Sequence, residues 1–78
     1  MPTLLLSGPY RIFFYSGDRE EPPHVHVERD RCRAKFWLQP TRLAHSRGFS
    51  RPELSRIESL VREYEEQFLM SWNAFFAD

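Results

Sequence analysis

Two histidines and a carboxylate alternate with valines in the segment HVHVER, which covers residues 24–29. Because successive side chains of a strand point to opposite faces, His24, His26 and Glu28 share one face and the valines share the other. Imidazole changes charge near neutral pH, so paired histidines suit general acid–base catalysis. Two imidazoles and one carboxylate are also ligand types that transition metals accept.

These histidines suggest two chemistries, and the metal-free one is favoured. In metal-independent RNA cleavage, His24 and His26 would act as base and acid, and a neighbouring Lys or Arg would stabilise the transition state. A metal is disfavoured because residues i and i+2 of a strand stand well apart and no further ligand cluster lies nearby in sequence. Cations at Arg33 and Lys35 would also oppose a metal charge. We therefore predict no metal and no cofactor.

The neighbouring strands are expected to gather polar side chains on the same sheet face. In residues 33–38 (RAKFWL) the apolar set alternates with a polar one, and in residues 10–15 (YRIFFY) Ile12 and Phe14 fit the core. We call the face away from the core the outer face. It is predicted to carry cations, imidazoles and rings: Arg11, Phe13, Tyr15, His24, His26, Glu28, Arg33, Lys35 and Trp37.

This mixture is typical of a surface that binds single-stranded nucleic acid, where rings stack on bases and Arg or Lys contact phosphates. A solvated face, with rings packed under long arginine stems, explains the same residues without a ligand. The residues predicted to contact a ligand are Arg11, Tyr15, Glu28, Arg33, Lys35 and Trp37.

The elements that position these residues are strands first and a helix last. Residues 4–6, 10–15, 24–29 and 33–38 are rich in strand formers, and turn formers separate them. Residues 41–47 are interpreted as one helical turn. Ser50 and Glu53 form a capping box that begins a long amphipathic helix over residues 51–77. The order predicts an α+β domain, in which an antiparallel sheet of three to four strands packs one face against one long C-terminal helix.

The helix is longer than the sheet beside it. Its 27 residues reach about 40 Å, whereas a six-residue strand spans about 20 Å. Its last third is apolar nearly all round, which is typical of a buried segment. We therefore predict a homo-oligomer or a partner contact through Phe68, Met70, Trp72, Phe75 and Phe76.

Composition limits the class of protein. The chain has 78 residues and one cysteine, so it is predicted to be a single domain, residues 1–78, without disulfides. No run approaches a membrane span and the N-terminus has no charged region of a signal peptide, which predicts a cytoplasmic protein that contacts no membrane. Eleven Lys and Arg balance eleven Asp and Glu. The basic residues concentrate before residue 53 and the acidic ones after it, so the first half favours a polyanion or an acidic partner.

Several segments together resemble a bacterial family of short proteins filed as a domain of unknown function, number 4160. The segments are MPTLLL, YRIFFYS, EPPHVHVE at residues 21–28, AKFWL at 34–38, LAHSRGFS at 43–50 and SWNAFF near the C-terminus. The turn RDRCR at residues 29–33 is more basic than is usual in that family. Genes of the family often neighbour a second small family in toxin–antitoxin-like arrangements, so the resemblance implies a small prokaryotic protein that acts with a partner.

The sequence therefore predicts a component of a toxin–antitoxin-like module. In the first hypothesis the outer face binds RNA, DNA or a cognate small partner protein. In the second, the protein is a metal-independent ribonuclease toxin that uses His24 and His26. The sequence alone does not decide whether the protein is an enzyme.

Overall fold

The computed structural model describes residues 3–77. Strands come first and helices last, which confirms the predicted α+β class. Within this range the elements are β1 (Thr3–Ser7), β2 (Tyr10–Phe13), a 3₁₀-helix (Asp18–Glu20), β3 (His24–Arg29), β4 (Cys32–Trp37), β5 (Arg42–Arg47), α1 (Arg51–Glu63) and α2 (Glu65–Phe75).

The sheet is an antiparallel meander in which every strand pairs with its neighbour along the chain. The hairpin of β3 and β4 agrees with the prediction and places Val25 opposite Phe36 and Val27 opposite Ala34. These alternating apolar side chains fix the register, because a slip by one residue would turn them towards solvent.

The described residues contain five strands, so the prediction of three to four is too low. Residues 41–47 do not form a helical turn, since Arg42–Arg47 is β5. Pro40 lies in the turn that returns the chain to β4, and the Gln39–Pro40 peptide bond is cis. The open edge of β4 offers backbone hydrogen bonds to residues 42–47, and this pairing outweighs their local helical preference.

The C-terminal helix is divided at Tyr64, where one continuous helix is predicted. The predicted cap is present, because Ser50 Oγ accepts a hydrogen bond from the N–H of Glu53 at 3.3 Å. At the division Tyr64 has φ −104° and ψ 11°, outside the usual helical values. The apolar spacing continues through this residue, so periodicity alone does not reveal the division.

The helices cover one face of the sheet with an aliphatic and aromatic core. Ile57 and Val61 of α1 and Phe68 of α2 are buried in it. The strand residues predicted to face inwards lie in the same core: Ile12, Val25, Val27, Ala34, Phe36 and Leu38. Their burial leaves the alternate side chains of β2, β3 and β4 on the outer face.

The end of α2 packs on its own sheet through an aromatic cluster. The Trp72 ring centroid lies 5.2 Å from that of Phe14 and 5.1 Å from that of His24. Phe68 and Trp72, both predicted to contact a partner, are therefore buried within the chain.

No helix within residues 3–77 is long and apolar enough to cross a membrane.

Candidate functional site

Three rows of side chains cross the outer face from strand to strand. The middle row runs through Phe13, His26, Lys35 and His45, each opposite the next. On one side of it lies the row Arg11, Glu28, Arg33 and Arg47, and on the other lie His24, Trp37 and Arg42. The pairing thus brings the predicted outer-face residues of these strands together, and β5 adds three that the sequence interpretation missed.

His24 is on the expected strand face but is fully buried. Its Nδ1 lies 2.9 Å from the carbonyl oxygen of Pro22, and its ring packs edge-on against Trp37. Trp72 covers another side of the same ring. Of the two predicted catalytic histidines, His26 is therefore the one with an exposed part, at 21% of its side chain.

Asp18 joins the two histidines from the loop between β2 and β3. Its Oδ2 lies 3.1 Å from Nε2 of His24 and 3.1 Å from Nε2 of His26. The backbone N–H of Tyr15 donates to the same oxygen at 2.8 Å and holds the loop in place. We call Asp18, His24 and His26 the Asp18 cluster.

Burial and charge act in opposite directions on the cluster. Burial raises the pKa of Asp18, but the Tyr15 N–H and the two imidazoles outweigh it, so this pKa lies below its ordinary value. Burial lowers the pKa of His26, and the Asp18 carboxylate offsets part of that effect. Near neutral pH Asp18 is therefore charged while His26 is biased towards its neutral form.

Lys35 has a partner and is not an open cation. Its Nζ donates to Oε1 of Glu21 at 2.6 Å and lies 4.5 Å from the ring centroid of Trp37. The hydrogen bond from Lys35 lowers the pKa of Glu21. Glu21 Oε1 is also 3.8 Å from Nε2 of His24, so this ion pair borders the Asp18 cluster.

Three arginines line the β4–β5 side of the outer face. Arg33 stands directly opposite Arg47, and Arg42 stands opposite Trp37. All three are exposed, and Arg42 and Arg47 have no ion pair among residues 3–77. Arg33 forms an ion pair with Glu28 at 3.6 Å, which is longer than the 2.9 Å pair of Glu28 with Arg11. We call Arg33, Arg42 and Arg47 the arginine strip.

On the β2–β3 side of the outer face, the charged side chains are paired. Arg11 donates to Glu28 at 2.9 Å and lies over the Phe13 ring. Phe13 is buried and stacks on His26, with ring centroids 5.5 Å apart. Arg11 and Glu28, both predicted to contact a ligand, therefore neutralise each other.

Two rings of the outer face are partly exposed, and Nζ of Lys35 lies over one face of Trp37. Tyr15 is 38% exposed, and its hydroxyl lies 3.5 Å from Nη1 of Arg33. Trp37 is half-buried between His24 and Arg42. The predicted stacking residues thus border the arginine strip.

The sequence interpretation missed Asp18 and Glu21 in the loop and Arg42, His45 and Arg47 on β5. The loop residues stand in SGDREEPP, whose composition indicates exposure but gives no contact partner. The β5 residues are missed because their segment is interpreted as helical. Once β5 is recognised, the alternation of Arg47 and His45 places both on the outer face.

A shallow apolar groove lies at the end of α2. It is lined by Leu4, Phe14, Ser71, Ala74 and Phe75. Of the residues predicted to contact a partner, Met70 is 67% and Phe75 is 48% exposed, and Phe76 is half-buried.

Comparison with known families gives one match. The family model described as "Domain of unknown function (DUF4160)" matches residues 10–73. This range includes the Asp18 cluster and the arginine strip. Neither the curated proteins nor the solved structures give a match.

Proposed function

We propose that this chain, which belongs to the DUF4160 family, binds single-stranded nucleic acid through the arginine strip. The observation that carries the proposal is the direct opposition of Arg33 and Arg47 on β4 and β5. Like charges directly opposite each other on a sheet are destabilising. A phosphate between two guanidinium groups turns that repulsion into charge-assisted hydrogen bonds.

The rings beside the strip supply the second part of the surface. Tyr15 borders Arg33, and Trp37 lies opposite Arg42. Stacking of a base on an aromatic side chain contributes about 1–3 kcal/mol and tolerates any base. The arrangement supports recognition of a flexible single strand, whose bases can turn towards the rings while its phosphates follow the strip.

We further propose that the chain is one component of a toxin–antitoxin-like module. The family resemblance supports a partner protein encoded by a neighbouring gene. The arginine strip could bind an acidic partner protein as well as a polyanion. Nucleic acid is the favoured ligand because the strip combines arginines with accessible rings. An acidic protein needs the charges but not the rings.

The test compares two double variants of equal charge. Arg42→Ala with Arg47→Ala removes two strip cations, whereas Arg51→Ala with Arg56→Ala removes two exposed arginines of α1. Fluorescence anisotropy of a labelled single-stranded RNA should show weaker binding for the strip variant and wild-type binding for the helix variant. Circular dichroism checks that both variants keep the wild-type fold.

The outcomes separate the candidate ligands. Equal RNA affinity of both variants would overturn the proposal, as would an affinity for polyglutamate that exceeds the affinity for RNA. Trp37→Ala should weaken RNA binding but not polyglutamate binding, because stacking requires a base. If the strip variant binds RNA with wild-type affinity but aggregates more than the wild type, the arginines instead protect the edge strand β5 from pairing with another chain.

The contact between Asp18 and His26 favours a second candidate function, metal-independent RNA cleavage. A carboxylate 3.1 Å from Nε2 can orient a half-buried imidazole as a base, with Lys35 beside it. His24 is too deeply buried to meet a substrate, so this route rests on His26 rather than on the pair. Loss of RNA cleavage in His26→Ala, with RNA affinity kept and chelator present, would establish it. Absence of cleavage by the wild type would dismiss it.

A further inference from the structure

Three side chains from two chain segments, β3 and the loop that precedes it, converge on one point at the end of the sheet. One ligand atom each from Asp18, His24 and His26 lies within 4.8 Å of the other two. Both imidazoles present Nε2, at 3.1 Å from the same carboxylate oxygen. Ligand atoms around a tetrahedral cation with bonds of about 2.0–2.1 Å are about 3.3 Å apart. The two carboxylate–imidazole distances are therefore close to the spacing that coordination requires.

The hydrogen bonding of His24 leaves its second ring nitrogen, Nε2, available as a ligand. The Pro22 carbonyl can only accept a hydrogen bond, so Nδ1 of His24 carries the proton and donates it. In that tautomer Nε2 presents a lone pair; it is fully buried and, although Asp18 Oδ2 lies 3.1 Å away, it makes no hydrogen bond within residues 3–77. A buried polar atom without a hydrogen-bond partner is destabilising. A cation at the centre of the cluster would satisfy this atom.

We propose that the Asp18 cluster binds a divalent transition-metal cation of the zinc type. Imidazole nitrogens with one carboxylate are ligands for such cations, and three protein ligands leave a coordination position open. The site is separate from the arginine strip and goes beyond nucleic-acid binding. The prediction of no metal rests on the strand spacing of the two histidines, on the absence of a further ligand cluster nearby in sequence and on the cations Arg33 and Lys35. Asp18 supplies a further ligand from eight residues upstream of His26.

The surroundings of the cluster resemble the outer shell of a metal site. Metal-bound histidines commonly donate their other ring N–H to a carbonyl oxygen, as His24 does to Pro22. Asp18 is held by the Tyr15 N–H, and aromatic rings enclose His24. Lys35, which stands opposite His26, is paired with Glu21, whose oxygen lies 3.8 Å from Nε2 of His24. That pair reduces the repulsion between Lys35 and a bound cation.

The experiment titrates the purified full chain, stripped with a chelator, with Zn²⁺ by calorimetry and with Co²⁺ by visible absorption. We expect one ion per chain and the intense visible bands of low-symmetry Co²⁺ coordination. Asp18→Asn should lower Zn²⁺ affinity by at least the roughly 10–100-fold that loss of an outer-shell partner costs, while keeping the acceptor for the Tyr15 N–H. His45→Ala is the matched control, because it removes an exposed histidine of the same sheet face.

Several binding results would overturn the proposed metal site. A wild-type Kd for Zn²⁺ in the millimolar range or weaker would overturn the metal-site proposal. Loss of Zn²⁺ binding in His45→Ala, with Asp18→Asn binding like the wild type, would also overturn it. His26→Ala provides a second variant that should bind as weakly as Asp18→Asn. If it binds like the wild type, the proposed site is wrong. If RNA cleavage requires His26 and persists in the presence of chelator, the ring of His26 transfers a proton, and Nε2 of His26 is not a metal ligand.

Discussion

The salt dependence of RNA binding measures how many phosphates the arginine strip neutralises. Each phosphate contact on a single strand contributes about 0.7 to the slope of log K against log salt. Arg42 and Arg47 have no carboxylate partner among residues 3–77. The ion pair of Arg33 with Glu28, at 3.6 Å, is longer than those of Arg11 and Lys35, so we expect Arg33 to contact phosphate as well. Three contacts predict a slope of about −2.1, which is roughly an 18-fold loss of affinity for a fourfold rise in salt.

Substitutions should change this slope according to pairing rather than formal charge. Arg42→Ala with Arg47→Ala should leave one contact, a slope of about −0.7 and roughly a 2.6-fold loss over the same salt range. Arg33→Ala with Lys35→Ala should lower the slope by only about 0.7, because Lys35 already neutralises Glu21.

Fluorescence anisotropy with a labelled single-stranded RNA between 50 and 200 mM salt measures both slopes. Arg51→Ala with Arg56→Ala should keep the wild-type slope. Equal slopes for the strip and helix double variants would refute the reasoning, since net charge alone would then explain binding. A fall of about 1.4 in Arg33→Ala with Lys35→Ala would show that the ion pair of Lys35 with Glu21 opens on binding.

Three further predictions concern stability and assembly. Trp72→Ala should cost about 3–5 kcal/mol in urea unfolding, whereas Phe75→Ala should cost about 1 kcal/mol because half of its ring is already exposed; equal costs would contradict the burial described. Hydrogen bonds from Arg29, and a further one from Tyr10, lower the pKa of Glu53 to about 2 from its ordinary 4.5. This stabilisation is present above pH 4.5 and is lost as pH falls towards 2, so the Tm difference between wild type and Glu53→Gln should shrink over that window, and a difference independent of pH would refute it. Light scattering at micromolar concentration should show a dimer or larger species that Met70→Glu dissociates, and a wild-type monomer would exclude the contact.

Local patterns predict the parts of the fold whose partners are close in sequence. The alternation in residues 24–29 and 33–38 fixes the β3–β4 hairpin, because both faces and the turn are visible in one short segment. Residues 42–47 lack such a pattern, and their strand state depends on the open edge of β4. The division at Tyr64 is equally invisible, since the apolar spacing runs through it.

The candidate site follows the same rule. The strand pattern assigns His24 and His26 to the correct face, but burial of His24 depends on Trp72, which lies 48 residues further along the chain. Asp18 reaches the histidines because Tyr15 donates to its carboxylate, a contact that loop composition does not encode. The strand alternation therefore identifies candidate site residues, but tertiary contacts decide which of them can contact a ligand.

The meander topology affects how the chain folds during synthesis. Every strand pairs with its immediate predecessor, so loop closure is cheap and sheet formation is expected to be fast. The side chains that cover its apolar face, Ile57, Val61 and Phe68, leave the ribosome after the whole sheet. For that interval a nascent chain carries an uncovered hydrophobic surface, which is the kind of intermediate that chaperones bind and that aggregates when synthesis stalls.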